Sequence, residues 1–147
     1  MFADLRVPVE KASVEVLLSD GTRHSLVVFQ APGQRLESFA EAPEPFFPAH
    51  ERDRLRLFAR ANIVALSGER RATRCPDEED LPETQRTVRV HVRGGEVLEG
   101  DLRFVACEGS LRPIDHLNES SRSFPLFTTG RVHHIVKAHV LFVEEVT

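Results

Sequence analysis

Residues 14–29 read VEVLLSDGTRHSLVVF, and residues 88–105 read VRVHVRGGEVLEGDLRFV. In both stretches apolar residues alternate with other residues up to a two-residue turn, and a second apolar run follows. The turns are Asp20-Gly21 and Gly94-Gly95, pairs that supply the positive φ angles of a tight hairpin turn. Each stretch is therefore predicted to form a β-hairpin with one apolar face.

A second pair of segments shows that the whole pattern is repeated. PFFPAHERDRLRLFARANIVAL begins at Pro45, and RSFPLFTTGRVHHIVKAHVLFV begins at Arg122, with a constant offset of 77 residues. Phe47 falls on Phe124 in this alignment. The shared order of hairpin, Leu-containing turn, Phe-Pro strand and final hairpin indicates a tandem duplication.

The duplication divides the chain into two repeats, residues 1–69 and 87–147, with a linker between them. The linker, residues 70–86, mixes both charges with two prolines and has no apolar periodicity. The strands predicted in the first repeat are Val14–Leu18, His24–Phe29, Phe46–Ala49, Arg54–Phe58 and Ile63–Leu66. Helical turns are expected only around Leu36–Ala40 and Ile114–Asn118, because prolines interrupt the longer windows.

Five short strands in a repeat favour a small, strongly bent sheet or barrel, because closure removes most free strand edges. A barrel of about sixty residues buries only about 60% of its unfolded surface and is marginally stable alone. The sequence therefore predicts an all-β protein made of two five-stranded small barrels that pack as a pseudo-symmetric pair.

Composition and charge exclude several classes of protein. Of the 147 residues 41% are hydrophobic and 29% are charged, as in a soluble globular chain, and no apolar run approaches the roughly 20 residues that cross a bilayer. The first residues lack the features of a signal peptide, so we expect a cytoplasmic protein without a membrane partner. The net charge of −4 argues against a surface that coats nucleic acid.

No metal site, cofactor site or catalytic motif is predicted. Cys75 and Cys107 make no metal spacing and are expected to be free thiols. The seven histidines form no HxH or HxxxH pattern, and His133 and His134 should face opposite sides of one strand. The chain also contains no P-loop, dinucleotide fingerprint or nucleophile elbow.

Two surface features have less specific interpretations. Arg52, Arg54 and Arg56 are predicted to share one strand face, which is either solvated or meets a phosphate or an acidic partner. All ten aromatic residues are phenylalanines, and those near Phe47 and Phe124 are expected mainly to fill the core rather than to stack on bases.

The second repeat resembles the Sm-like family of small β-barrels. A strand, a glycine turn, the Gly-Asp-Leu of residues 100–102 and the Asp-His-Leu-Asn of residues 115–118 are similar to the family's first motif. The strand pair around Lys137 resembles its second motif. The chain is also similar to uncharacterised bacterial proteins with an R-L-x-D-x-L-N…F-x-P-L pattern. The resemblance implies Sm-like or SH3-like barrels with an RNA site at Asp115, Asn118 and Lys137, where the first repeat has Ser38, Glu41 and Arg60.

The sequence is compatible with three functions. The first is a non-catalytic binding or assembly module that joins a protein partner or another copy of itself by edge-strand pairing. The alternative is an Sm-like RNA-binding ring whose pore is lined by Asp115, Asn118 and Lys137. The third is a small hydrolase that uses His133, His134 or Asp115.

Overall fold

The computed structural model describes residues 10–69, 83–105 and 112–146, which form ten strands and two short helices. The strands of the first repeat are β1 (Glu10–Leu18), β2 (Arg23–Gln30), β3 (Phe46–Glu51), β4 (Arg54–Ala59) and β5 (Ile63–Glu69). Those of the second are β6 (Glu83–Val92), β7 (Val97–Val105), β8 (Ser123–Thr128), β9 (Arg131–Val136) and β10 (Val140–Glu145). Helix α1 (Leu36–Glu41) follows β2, and α2 (Pro113–Leu117) follows β7.

All ten strands belong to one antiparallel sheet in the order β10-β6-β7-β8-β9-β5-β1-β2-β3-β4. The predicted all-β class is therefore confirmed. The predicted closure into two five-stranded barrels is not observed, because the sheet is open. Closing the first repeat would require β5 to pair with β4, but the outer edge of β5 is already occupied by β9. We call this pairing of β5 with β9 the internal joint.

The two repeats pair their strands in the same register. In the first repeat Leu66 of β5 lies opposite Val16 of β1, and in the second the matching Val143 of β10 lies opposite Val90 of β6. The third and fourth strands also correspond, since the pairs are Phe47–Phe58 and Phe124–Ile135. The duplication seen in the sequence is thus also a duplication of strand register.

The hairpin turns follow the sequence prediction and touch one another. Gly21, Gly94 and Gly95 have φ angles of 87°, 96° and 90°. A Cβ atom on Gly94 would lie only 2.9 Å from the Gly21 nitrogen, so this approach requires glycine. The β1–β2 turn of one repeat therefore packs directly on the β6–β7 turn of the other.

Buried apolar side chains form two clusters, one in each repeat, and both clusters use β5. Ile63 and Leu66 belong to the cluster of the first repeat. Val64 and Ala65 belong to the cluster of the second. Because β5 is buried on both faces, it acts as a central strand shared by the two repeats.

The element boundaries depart from the prediction at a few places. Strand β6 begins at Glu83, within the segment assigned to the linker, while residues 70–82 lie outside the described residues, as do Cys75 and Cys107. The predicted three-arginine strand face is interrupted, because Arg52 lies in the β3–β4 turn with a φ of 57° and β4 starts only at Arg54.

Candidate assembly interface

The two ends of the sheet are strands β4 and β10. Among the described residues, β4 pairs only with β3 and β10 only with β6. Within the described ranges, the backbone N–H and C=O groups on the outer side of each strand therefore have no partner strand, and such groups can accept a further strand. We call these outer sides the β4 edge and the β10 edge.

Large apolar side chains are exposed at both edges. Leu55 and Leu57 project from β4, and Leu141 and Phe142 project from β10. Phe46 of the neighbouring strand β3 is exposed as well. A single exposed leucine is ordinary in a folded protein, but apolar side chains grouped along unpaired strands are typical of an interaction surface.

Comparison of the repeats shows why these side chains are exposed. Leu141 of β10 occupies the repeat position of Val64 in β5, yet Leu141 is 62% exposed and Val64 is 0% exposed. Leu57 of β4 occupies the position of His134 in β9, and their exposures are 70% and 8%. Val64 and His134 are covered at the internal joint, so Leu57 and Leu141 are exposed because their strands have no neighbour there.

The internal joint combines an antiparallel ladder with side-chain contacts. Ala65 lies opposite Ile135, and Ser67 lies opposite His133. A hydrogen bond joins Ser67 Oγ to His133 Nδ1. The ladder and this bond hold the two repeats edge to edge.

Contacts outside the ladder extend the internal joint. His139 Nε2 donates to the Ala61 carbonyl oxygen at 2.7 Å. The Glu41 carboxylate at the end of α1 accepts from the Arg122 backbone N–H and from Ser123 Oγ, both at 2.7 Å. Helix α1 thereby anchors the first repeat to the start of β8.

The hairpin turns add an ion pair across the same joint. Arg23 lies at the start of β2, and its guanidinium is 3.2 Å from the Glu96 carboxylate in the second repeat. The same guanidinium lies 2.8 Å from the Glu15 carboxylate of its own repeat. Both pairs are partly exposed, so they orient the turns more than they stabilise the fold.

His134 makes the internal joint sensitive to acid. Burial and, to a smaller extent, the neighbouring His133 lower the pKa of His134 from 6.5 to about 4, while Glu41 acts in the opposite direction. The unfolded chain therefore takes up a proton at a pH where the folded chain does not. The contribution of neutral His134 is complete above pH 6.5 and is lost as the pH falls towards 4.

We expect the free energy of unfolding to fall by about 3 kcal/mol between pH 7 and pH 4 because of this group. Urea denaturation at a series of pH values measures the effect. His134→Leu, which introduces the residue found at the matching position 57, should flatten the pH dependence. An equally steep dependence in this variant would contradict the assignment.

The free edges carry opposite charges. Arg54 and Arg56 are exposed on β4, and Arg56 lies 2.9 Å from the Glu51 carboxylate. Glu144 is exposed on β10, where its carboxylate accepts from His91 Nε2 at 2.8 Å. Cationic and anionic side chains thus accompany the apolar ones on the β4 and β10 edges, respectively.

The residues predicted to bind RNA lie around α2 and the loop that follows it. The Asp115 carboxylate accepts from the backbone N–H and guanidinium of Arg112, at 3.1 Å each, and so caps the start of α2. Lys137 Nζ donates to the Glu119 carbonyl oxygen at 2.8 Å. Asn118 is exposed at the end of α2. Lys137 is therefore brought to the loop after Asn118, whereas Asp115 is engaged with Arg112.

The matching basic residue of the first repeat has a similar structural role. Arg60 occupies the position of Lys137, and its guanidinium donates to the Phe39 carbonyl oxygen at 2.7 Å. It also lies over the rings of Phe39 and Phe47, 4.8 and 4.9 Å from their centroids. In both repeats the basic side chain ties the turn before the last strand to the helical segment.

Among the described residues, the hydrolase candidates His133 and His134 lie on β9 and Asp115 lies on α2. Ser67 and His133 are hydrogen-bonded like a nucleophile and its base, but Ser67 is only 4% exposed inside the sheet. The Asp115 carboxylate accepts a hydrogen bond from the Arg112 guanidinium at the start of α2. In the part of the chain that the structure describes, no three His, Asp or Glu side chains converge as metal ligands.

Comparisons with known proteins assign no family. No family model, curated protein or solved structure matches the chain, and the resemblance to Sm-like barrels stays a prediction from the residues. The longest helix in the described ranges has six residues, too few to traverse a bilayer.

The sequence predicted edge pairing but did not identify the residues involved. In the sequence, Leu57, Leu141 and Phe142 are ordinary apolar residues of predicted strands, a pattern that does not distinguish exposed from buried positions. A signal was present in the alignment itself, since an apolar residue at position 141 matches an apolar residue at 64. It could be interpreted only once the order of strands was known.

Proposed function

We propose that this protein is a non-catalytic assembly module that associates by strand addition at the β4 and β10 edges. One observation carries the proposal: repeat positions that are covered at the internal joint are apolar and exposed at the two ends of the sheet. The two end strands therefore carry apolar side chains suited to an interface with a further strand.

The energy available at these edges supports association. Leu55, Leu57, Leu141 and Phe142 are 54–70% exposed, so burying each side chain would contribute less than the roughly 1.5–3 kcal/mol of a fully exposed one, before the loss of rotational and translational freedom is subtracted. The backbone groups of an added strand would also exchange water for protein partners. A specific, reversible association is the expected result.

The RNA-binding alternative depends on other residues and has a different test. It requires Asp115, Asn118 and Lys137 to face RNA, whereas Asp115 and Lys137 are bonded to neighbouring groups of the chain. Salt-dependent binding of a labelled oligoribonucleotide that is weakened by Lys137→Ala would favour this alternative over the assembly module.

Light scattering and hydrogen exchange test the proposed function together. We expect a solution mass above that of a single chain, and slow amide exchange in β4 and β10 that becomes faster on dilution. Strand β2 serves as the internal reference, because it is paired with a neighbouring strand on both sides within the chain. A monomer at every concentration, with fast exchange in both edge strands, would contradict the proposal.

A further inference from the structure

We infer that the strand added at each edge comes from a second copy of this chain, joined head to tail. The β10 edge of one copy pairs with the β4 edge of the next, antiparallel and in the register of the internal joint. This inference rests on the proposed function and names the partner for it. The internal joint supplies the pattern, because it already joins a fifth strand of one repeat to a fourth strand of the other.

The register follows from the repeat. The offset of 77 residues moves β5 onto β10 and β9 onto β4. The internal pairs are Ala65–Ile135, Leu66–His134 and Ser67–His133. The corresponding pairs between copies are Phe142–Phe58, Val143–Leu57 and Glu144–Arg56.

The residues that this register brings together are chemically complementary. Glu144 of one copy faces Arg56 of the next, an opposite-charge pair where the internal joint has Ser67 and His133. Val143 faces Leu57, so the most exposed leucine of the β4 edge gains an apolar neighbour. A register shifted by one residue would instead set Glu144 against Leu57.

The hairpin turns show where the joint between copies differs from the internal joint. Within the chain, the β1–β2 turn packs on the β6–β7 turn through Gly21 and Gly94. The repeat position of Gly21 is Gly95, and a Cβ atom on Gly95 would meet no described atom within 4 Å beyond its chain neighbours. Val97, which occupies the position of Arg23, is also exposed. Head-to-tail pairing would set Gly95 and Val97 against the β1–β2 turn of the next copy, where Asp20 occupies the position of Gly94. Because a Cβ at Gly94 would lie only 2.9 Å from the Gly21 nitrogen, these two turns must lie further apart than the two turns within the chain.

The turns that precede the last strands supply another matching contact. His139 donates to the Ala61 carbonyl oxygen at the internal joint. Asn62 occupies the position of His139, and Ala138 occupies that of Ala61. Asn62 of one copy can therefore donate through its side-chain amide to the Ala138 carbonyl oxygen of the preceding copy.

The hydrogen bonds of Glu41 at the internal joint also have no equivalent between copies. Glu41 accepts from Arg122 and Ser123, but the matching residues are Asn118, Pro45 and Phe46. Proline has no backbone N–H to donate, and phenylalanine has no hydroxyl. The joint between copies is therefore expected to be weaker than the internal joint and to dissociate reversibly.

Head-to-tail pairing uses two different surfaces. However many copies are added, an open assembly therefore has a free β4 edge at one end and a free β10 edge at the other. Such heterologous contacts give a closed ring when the rotation at each joint closes, and a filament when it does not. Two-fold pairing of identical edges would instead stop at a dimer. The polarity of the contact is thus the property to test.

Disulfide cross-linking between two single-cysteine chains tests polarity and register. Both chains carry Cys75→Ser and Cys107→Ser, and one also carries Arg56→Cys while the other carries Glu144→Cys. After mixing and mild oxidation, we expect a covalent dimer in the mixture and in neither chain alone. The expected partners lie within the span of a disulfide in an antiparallel ladder.

Arg54→Cys is the matched register control. It lies on the same strand and face as Arg56, but in the expected register it is a diagonal neighbour of Glu144, with Cα atoms about 7–8 Å apart. We expect roughly tenfold less covalent dimer from the mixture of Arg54→Cys and Glu144→Cys, because that separation exceeds the usual disulfide span.

The outcomes separate this inference from the proposed function. If the wild-type chain associates but Arg56→Cys or Glu144→Cys cross-links mainly with itself, identical edges pair and the head-to-tail inference is overturned. Preferential cross-linking through Arg54→Cys would overturn the register. A wild-type chain that stays monomeric in light scattering would remove the proposed function as well.

Discussion

Replacing Leu57 with lysine is expected to dissociate the assembly while the chain stays folded. Leu57 is the most exposed large apolar side chain of the described residues, so the isolated chain loses no buried contact when it is replaced. In the assembled state, however, the substitution removes roughly 1.5–3 kcal/mol of apolar burial and places an ammonium group at the joint. Since 1.4 kcal/mol corresponds to a factor of ten, the dissociation constant of the assembly should rise about tenfold to a hundredfold.

Concentration-dependent light scattering measures this effect, and urea denaturation shows whether the fold survives. Ser25→Lys is the matched control, because Ser25 is exposed on the interior strand β2 and lies opposite Glu15 of β1. It introduces the same charge away from both edges and should leave the mass unchanged. Equal masses for Leu57→Lys and the wild-type chain would show that the β4 edge takes no part in association.

The same substitution is expected to have different effects on stability at Val64 and at Leu141, which occupy matching positions in the two repeats. Val64→Asp places a carboxylate in the middle of β5, which is buried on both faces. Burying an unpaired charge costs several kcal/mol, a large part of the 5–15 kcal/mol that typically stabilises a domain. We expect this variant to be unfolded or to lose at least about 3 kcal/mol of stability.

Leu141→Asp makes the same change at the matching position of β10. Because Leu141 is exposed, the stability of the single chain should change by less than about 1 kcal/mol. Its association should nevertheless weaken, because the carboxylate lies on the β10 edge beside Glu144. Circular dichroism with urea titration, followed by light scattering, compares the two variants. Unfolding of both would mean that β10 is as deeply packed as β5.

Local structure was largely predictable from the sequence, for physical reasons that particular elements show. Alternating apolar residues placed β1 and β6, and the glycine turns adopt the expected positive φ angles. The helical turn predicted at Leu36–Ala40 is present as α1 over Leu36–Glu41. These features depend on neighbours in the chain, and such neighbours are visible in the sequence.

The joining of the repeats could not be predicted in the same way. Closure of each repeat and pairing between repeats use the same backbone edge of β5, and the apolar pattern of Ile63–Leu66 suits both. The choice depends on contacts between distant residues, such as Glu41 with Ser123 and His139 with Ala61. For the same reason the exposed positions of β4 and β10 could not be separated from core positions beforehand.

The sharing of β5 by both apolar clusters has a consequence for cooperativity. Many duplicated proteins keep two cores that can melt one after the other, each repeat retaining its own stability. In this chain the loss of either cluster uncovers one face of the strand that completes the other. Duplication has therefore produced one thermodynamic unit from two copies, so the described repeats are expected to unfold together in a single transition.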